Sequence, residues 1–195
     1  MPIPTEPVYF PPQETRRLFA AGEAFFLIDP ARLEEVAGSF KDDELLGRLQ
    51  SRQKADVAFV EGALVPAFGL EPGFYNVLVR STETEGAMLP LSHVTFSSGF
   101  VLGTETGQLM VCNAERLQHW TPGMSRLALE GQGVANVERA IRVEPGWYSV
   151  TVVAGIHDVE PEEGPEQWIV CFLLEPRAAQ PEFLADPQKM LNLFG

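Results

Sequence analysis

EPGFYNVLV at positions 71–79 returns, nearly letter for letter, as EPGWYSVTV at positions 144–152. In an extended chain successive side chains point to opposite sides, so Tyr75, Val77 and Val79 share one face, as do Tyr148, Val150 and Val152. That face is expected to be core. The other face is mixed (Phe74-Asn76-Leu78 and Trp147-Ser149-Thr151). It presents Phe74 and Trp147 either as an exposed aromatic pair or as packing between the copies. Pro72-Gly73 and Pro145-Gly146 fit the centre of a type II turn, proline presetting φ and glycine supplying a positive φ.

A second echo lies upstream of each strand. GEAFFLIDPARL at 22–33 and GQLMVCNAERL at 107–117 both run from a glycine through an apolar stretch to Asp29 or Asn113, then to Arg-Leu. The apolar stretches read as buried strands. Asp29 and Asn113 read as N-caps, whose side-chain oxygens accept from the free N–H groups of a following helix. Pro30 then takes the first helical position, where its missing donor costs nothing. The two helices are ARLEEVAG, closed by Gly38, and AERLQHW, ending before Pro122. Asp29 is thereby a cap and not a catalytic carboxylate. The caps stand 84 positions apart and the EPG strands 73 apart, so the first copy carries extra residues, matched by the charged helical segment KDDELLGRLQSRQK at 41–54.

Each EPG strand enters a polar, turn-rich stretch and returns as another strand. NVLVRS passes through TETEGAM to LPLSHVTFS, and SVTVVAGI through HDVEPEEGPEQ to WIVCFLLEP. Both read as antiparallel hairpins with long tips. Further helices are expected at PQETRRLFAAG (12–22) and ADPQKMLNLF (185–194). The expected fold is mainly β (α+β), an antiparallel β-sandwich or barrel built from two duplicated halves with short peripheral helices. No low-complexity linker divides the chain, which predicts one domain over 1–195, with halves at about 15–98 and 99–178 and a C-terminal helix at 179–195.

The 195 residues are 45% hydrophobic and 21% charged, the balance of a globular chain that can bury a sizeable core. No stretch approaches the ~18 apolar residues of a membrane span, and MPIPTEPVYFPP lacks the features of a secretory signal. Cys112 and Cys171 sit in apolar runs and read as reduced core thiols. These features predict a cytoplasmic protein with no membrane partner. The net charge of −13, from 27 acidic and 14 basic residues, repels phosphate backbones and argues against nucleic acid as a partner. It favours a basic partner instead.

Signals for chemistry are sparse. GQGVAN at 131–136 lacks the third glycine of a dinucleotide loop, and GMSRL around Ser125 lacks the second glycine of a nucleophile elbow. CxxC and HExxH patterns are absent. His93, His119 and His157 are far apart in sequence. HDVEPEEG is rich in oxygen ligands but lacks the spacing and bend glycine of a calcium loop, so it reads as a solvated hairpin tip. Cys112 with His119 lacks an orienting third group. No catalytic residue, cofactor or metal is expected.

The module G-(apolar)-Asp-Pro followed by P-x-G-x-Y-x-V resembles uncharacterised bacterial families, with Asn76 and Ser149 standing where the usual form has proline. Some similar acidic, β-rich modules are immunity proteins of toxin systems, and others resemble a small inhibitor of a competence nuclease. The resemblance implies a cytoplasmic bacterial binding protein, an immunity or inhibitor protein that blocks a basic toxin or nuclease. The residues expected at that interface are Asp158, Glu160, Glu162, Glu163 and Glu166, five carboxylates within nine positions and no Lys or Arg among them, with Trp147 or Trp168 as aromatic anchor. The alternatives are a small-ligand-binding protein or enzyme with a pocket between the halves, and a subunit working as a homo-oligomer.

Overall fold

A computed structural model describes residues 16–20, 24–37, 57–82, 91–118, 141–157, 167–187 and 189–191. Nine strands and two helices are placed in the order β1 (Arg16–Ala20), β2 (Ala24–Ile28), α1 (Pro30–Ala37), β3 (Leu64–Phe68), β4 (Gly73–Ser81), β5 (Leu91–Thr104), β6 (Gln108–Asn113), α2 (Ala114–Gln118), β7 (Ile141–Arg142), β8 (Gly146–His157) and β9 (Gln167–Arg177). A further helical stretch covers 57–60. The fold is mainly β, as the sequence predicts.

One sheet has the order β1-β4-β9-β8-β5 and the other β3-β2-β6-β7. All pairings are antiparallel except β4 with β9. The orders read symmetrically. β2 and β6 pair at the centre of the smaller sheet, flanked by β3 and β7. In the larger sheet β4 and β8 lie on either side of β9, flanked by β1 and β5. The succession β2–α1–β3–β4 thus recurs as β6–α2–β7–β8. The echoed tyrosines occupy equivalent places: the Tyr75 hydroxyl donates to the Glu71 carbonyl (3.0 Å), and the Tyr148 hydroxyl donates to the Glu144 carbonyl, each four residues back.

The alternation sorts residues as expected. Tyr75, Val77, Val79, Tyr148, Val150 and Val152 all enter the core between the sheets, facing Phe25, Leu27 and Val65 of the smaller sheet. A second core, with Phe26, Ile28, Leu64, Met110 and Cys112, lies on the smaller sheet's other face under Leu33 of α1 and Leu117 of α2. A third, small cluster of Leu78, Ile169 and Cys171 occupies the outer face of the larger sheet. The first helix starts as its sequence dictates. Asp29 Oδ1 accepts from the backbone N–H groups of Ala31 (2.8 Å) and Arg32 (3.0 Å), ahead of Pro30 at the first helical position. In the second copy, the Asn113 side-chain amide donates to the Phe19 carbonyl at 3.3 Å and so ties β6 to β1.

Several expectations are corrected. RRLFA is strand β1, not helix: Ala20 is buried in the core and Phe19 is exposed, the period of two that an edge strand against β4 demands. The expected β4–β5 hairpin does not form. β4 has β1 and β9 as its neighbours, so β5 pairs along β8 instead, with register shifts at 92–95 and 97–100. β8 and β9 do pair antiparallel, from Trp147–Arg177 to His157–Gln167. Residues 185–187 and 189–191 are not helical, because Leu191 is drawn into the core between the sheets. Neither EPG glycine makes a type II turn. Gly73 has no positive φ, and Gly146, at φ 151°, lies far from the turn's value of about +80°. Phe74 packs against Phe19, ring centroids 5.0 Å apart and tilted by 57°, while Trp147 lies at the opposite end of the larger sheet. The charged segment 41–54, Gly38, His119, Ser125 and GQGVAN lie outside the described residues.

Candidate binding surface

The β8–β9 hairpin closes at the pair His157–Gln167. Between these residues stands the acidic stretch with Asp158, Glu160, Glu162, Glu163 and Glu166, which lies outside the described residues. The two tryptophans expected beside it sit at opposite ends of the hairpin. Trp168 pairs with Ile156, next to the closing end, whereas Trp147 pairs with Arg177. Nine residues of strand separate Trp147 from Ile156, roughly 30 Å at about 3.3 Å per residue. Trp147 therefore does not neighbour the tip.

What Trp147 does instead is visible in its contacts. Its ring passes so close to Gly103 and Gly62 that a Cβ on either would lie 2.7 and 3.0 Å from its Cζ3. The Arg32 guanidinium covers it, 4.6 Å from the ring centroid. Arg32 is fixed in turn by a 2.8 Å bond from Nε to the Glu61 carbonyl. Trp147 thus pins α1 and the 61–62 turn to the outer face of β5 and β8, with a cation–π contact adding to the packing. Trp168 is half-buried. Its ring lies 5.2 Å from that of Tyr75 and directly over Gly73, where any Cβ would strike it. It packs against the core beside the closing end of the hairpin.

The exposed aromatics at this end are two others. Phe19 and Phe74, a cross-strand pair of β1 and β4, are 45% and 56% exposed. They stand on the outer face, opposite to Tyr75, and the pairing of Tyr75 with Trp168 puts Phe74 level with the closing end of the hairpin. A 2.8 Å bond from Asn76 Nδ2 to Gln167 Oε1 links the same neighbours. Glu71 and Pro72, just before Phe74, are also exposed. Sequence reasoning singled out Phe74 but missed Phe19, because a residue in a supposed helix has no cross-strand partner to be found. Cross-strand aromatic pairs are worth about 0.2–1 kcal/mol, too little to require two rings to stay in water.

Chemistry is otherwise sparse. Among the described residues no three His, Cys, Asp or Glu side chains gather as a metal site. The Asp29 carboxylate is fully buried and its Oδ2 has no hydrogen-bond partner, while Oδ1 caps α1. His93, at φ 49° and exposed, lies within the first register shift of β5. Cys112 and Cys171 are both buried and unbridged. Burial pushes the Cys171 thiol up to about 12, with the Arg80 guanidinium pulling weakly the other way. Burial, reinforced by the Glu71 charge, likewise raises Tyr75 to about 12 against its hydrogen bond to the Glu71 carbonyl.

Cys171 is therefore not a nucleophile in the native state, since the thiolate is the reactive form. At pH 8 an aromatic disulfide reagent should titrate two thiols in denatured protein and label native protein only at the rate of unfolding. Above pH 9 the unfolded thiol ionises before the folded one, which favours unfolding. The contribution of Cys171 is thus intact below pH 9 and lost progressively towards pH 12, and that of Tyr75 follows between 10 and 12. Denaturation midpoints against pH, with Cys171→Ala as the comparison, check this. The variant should begin to lose stability at higher pH than the parent.

No family model matches the sequence, and no curated protein matches it. Among solved structures the chain is similar to one described as "Crocagin biosynthetic gene J", with a TM-score of 0.42 and 17% sequence identity over 82% of this chain and 95% of that one. Among the described residues no helix is long and apolar enough to cross a membrane.

Proposed function

We propose that this is a cytoplasmic bacterial binding protein, of the immunity or inhibitor kind, that blocks a basic toxin or nuclease through the closing end of the β8–β9 hairpin. The observation that carries the reading is the coincidence of two features at one end of the larger sheet. The exposed Phe19–Phe74 pair lies level with the strand ends from which the chain leaves into five carboxylates without a Lys or Arg. Aromatic side chains supply much of the affinity of protein interfaces, and surrounding charges set the encounter rate and the choice of partner. Mutual repulsion within the acidic stretch is relieved by a cationic surface. The resemblance of the G-(apolar)-Asp-Pro and P-x-G-x-Y-x-V module to immunity and nuclease-inhibitor proteins points the same way.

The test is capture of partners from the native host with the parent and with Glu160, Glu162 and Glu163 changed to glutamine. The parent should retain a basic protein whose recovery falls steeply as salt is raised, and the triple variant should lose it. Phe74→Ser should weaken capture while leaving its salt dependence in place. Equal recovery by the parent and the triple variant would sink the proposal.

A further inference from the structure

Beyond β9 the chain forms neither strand nor helix over residues 178–187 and 189–191, yet it is bound to both principal cores. Leu191, 1% exposed, belongs to the core between the sheets. Phe183 packs against that core and the helix-covered one, its ring 6.3 Å from Phe100. Polar ties to the body come at separate points along the segment. The N–H groups of Leu184 and Ala185 both donate to the Gly99 carbonyl (2.9 and 3.1 Å), and that of Leu191 donates to the Phe68 carbonyl (2.7 Å). Gln180 Nε2 donates to the Val60 carbonyl at 3.0 Å, and Lys189 Nζ lies 4.9 Å from the centre of the Phe96 ring. Between these anchors Leu184 and Met190 stay 71% and 54% exposed.

The body is shaped to receive this segment at two bare points. Gly99, at φ 89° in the second register shift of β5, would place a Cβ 2.8 Å from the Ala185 nitrogen. Gly69, at φ 79° just past β3, would place one 2.7 Å from Met190 Cβ and 3.0 Å from the Leu191 nitrogen. At both points a side chain on the body would close the path. Buried anchors alternating with exposed side chains, and a handful of main-chain bonds to the host, are how an extended peptide sits in a receptor groove.

We infer that the groove over Phe68, Gly69, Phe96, Gly99 and Phe100 is a binding site for an extended peptide, and that the chain's own C-terminal segment is its exchangeable occupant, seated here in cis and open to replacement by the same segment of a second copy. The contrast with the neighbouring hairpin supports exchange. β9 is held to β8 through eleven consecutive residue pairs, whereas the C-terminal segment joins no sheet and its backbone bonds to the body at the separate points Gly99 and Phe68. A short tether makes a modest intrinsic affinity sufficient, because it supplies the segment at an effective concentration of roughly millimolar. The segment therefore opens before the sheets do, and an emptied groove accepts an identical segment from a neighbour, the route to exchanged dimers. This site is independent of the hairpin end and of the function proposed for it.

The test uses the full chain carrying Leu191→Asp, which removes the deepest anchor, and a fluorescent peptide with the sequence of residues 178–195. The variant should bind the peptide at least tenfold more tightly than the parent, whose own segment competes. A peptide with Phe183 and Leu191 both replaced by serine should not bind. If Leu191→Asp keeps a cooperative melt and binds no more peptide than the parent, the inference is overturned. If that variant does not fold, hydrogen exchange on the parent decides. The amides of Leu184, Ala185 and Leu191 should exchange at least tenfold faster than those of Val152 and Phe172. Equal protection would make the segment part of the global folding unit and overturn exchange.

Discussion

Phe172→Ala should lower the unfolding free energy by about 3–5 kcal/mol, the range for truncating a buried phenylalanine, measured by urea denaturation. Phe172 is fully buried in the middle of β9, and its position explains why the effect should reach the top of that range. In register it stands beside Val79 of β4 on one side and Val152 of β8 on the other. Those valines are the last residues of the two echoed stretches, and both face the core. β9 lies between the echoed strands β4 and β8, so a cavity at Phe172 loosens contacts to both at once. Neighbours held in two sheet ladders can relax into it only slightly. Phe74→Ala, which removes the same ring from a site 56% exposed on β4, should change stability by no more than about 0.5–1 kcal/mol, because a ring largely in water loses little burial and a cross-strand aromatic contact is worth about that much. Equal losses at the two sites would mean that burial between β4 and β8 does not set the cost at Phe172.

Much of this fold is legible in the sequence, because its units are marked by local chemistry. A cap residue before a helix, a proline at its first position and alternation in the strand after EPG each act within a few residues, and each names its own element. Hence β2, α1, β4, β6, α2 and β8 are readable, along with the inward faces of Tyr75 and Tyr148. What is not readable is who pairs with whom. Local reasoning joins β4 to β5 because they are adjacent in the chain. The preference of β4 for β9 is decided about 90 residues later, and parallel pairing leaves no turn signature. Five residues of RRLFA fit a helix or a strand equally well until β4 supplies the partner. At the C-terminus helix-forming residues are overruled by tertiary contacts, since Leu191 gains a core site that a helix would deny it.

The proposed binding surface is half legible for a related reason. Charge is a property of sequence alone, so the acidic stretch shows at once. An aromatic anchor depends on which strands lie side by side, so local sequence hides Phe19 and does not locate Trp147. Trp147 and Phe74 occupy the same letter of the echo, yet the first is clamped by Arg32 over two glycines and the second faces solvent beside Phe19. Equivalent positions in a repeat share backbone geometry. They do not share surroundings.

The EPG glycines carry that lesson into a measurable form. Gly73→Val and Gly146→Val should each destabilise by about 1–3 kcal/mol, but for different reasons, and a second substitution separates them. At Gly73 the backbone is permissive and the obstacle is the Trp168 ring, into which any Cβ would run. The cost there is overpacking. At Gly146 nothing lies within 4 Å of the Cβ position, and the obstacle is φ 151°, a conformation that L side chains rarely adopt. The cost there is backbone strain. In a Trp168→Ala background, Gly73→Val should therefore recover about 1 kcal/mol or more, because the ring it collides with is gone. Gly146→Val should cost as much as before, since no neighbour was involved. Contacting residues couple in this way and distant ones add, so the two double-mutant cycles, read from denaturation midpoints, should give one large coupling and one near zero. Equal couplings would mean that the two glycines meet the same demand after all, and that the close approach of Trp168 to Gly73 is not what keeps that position free of a side chain.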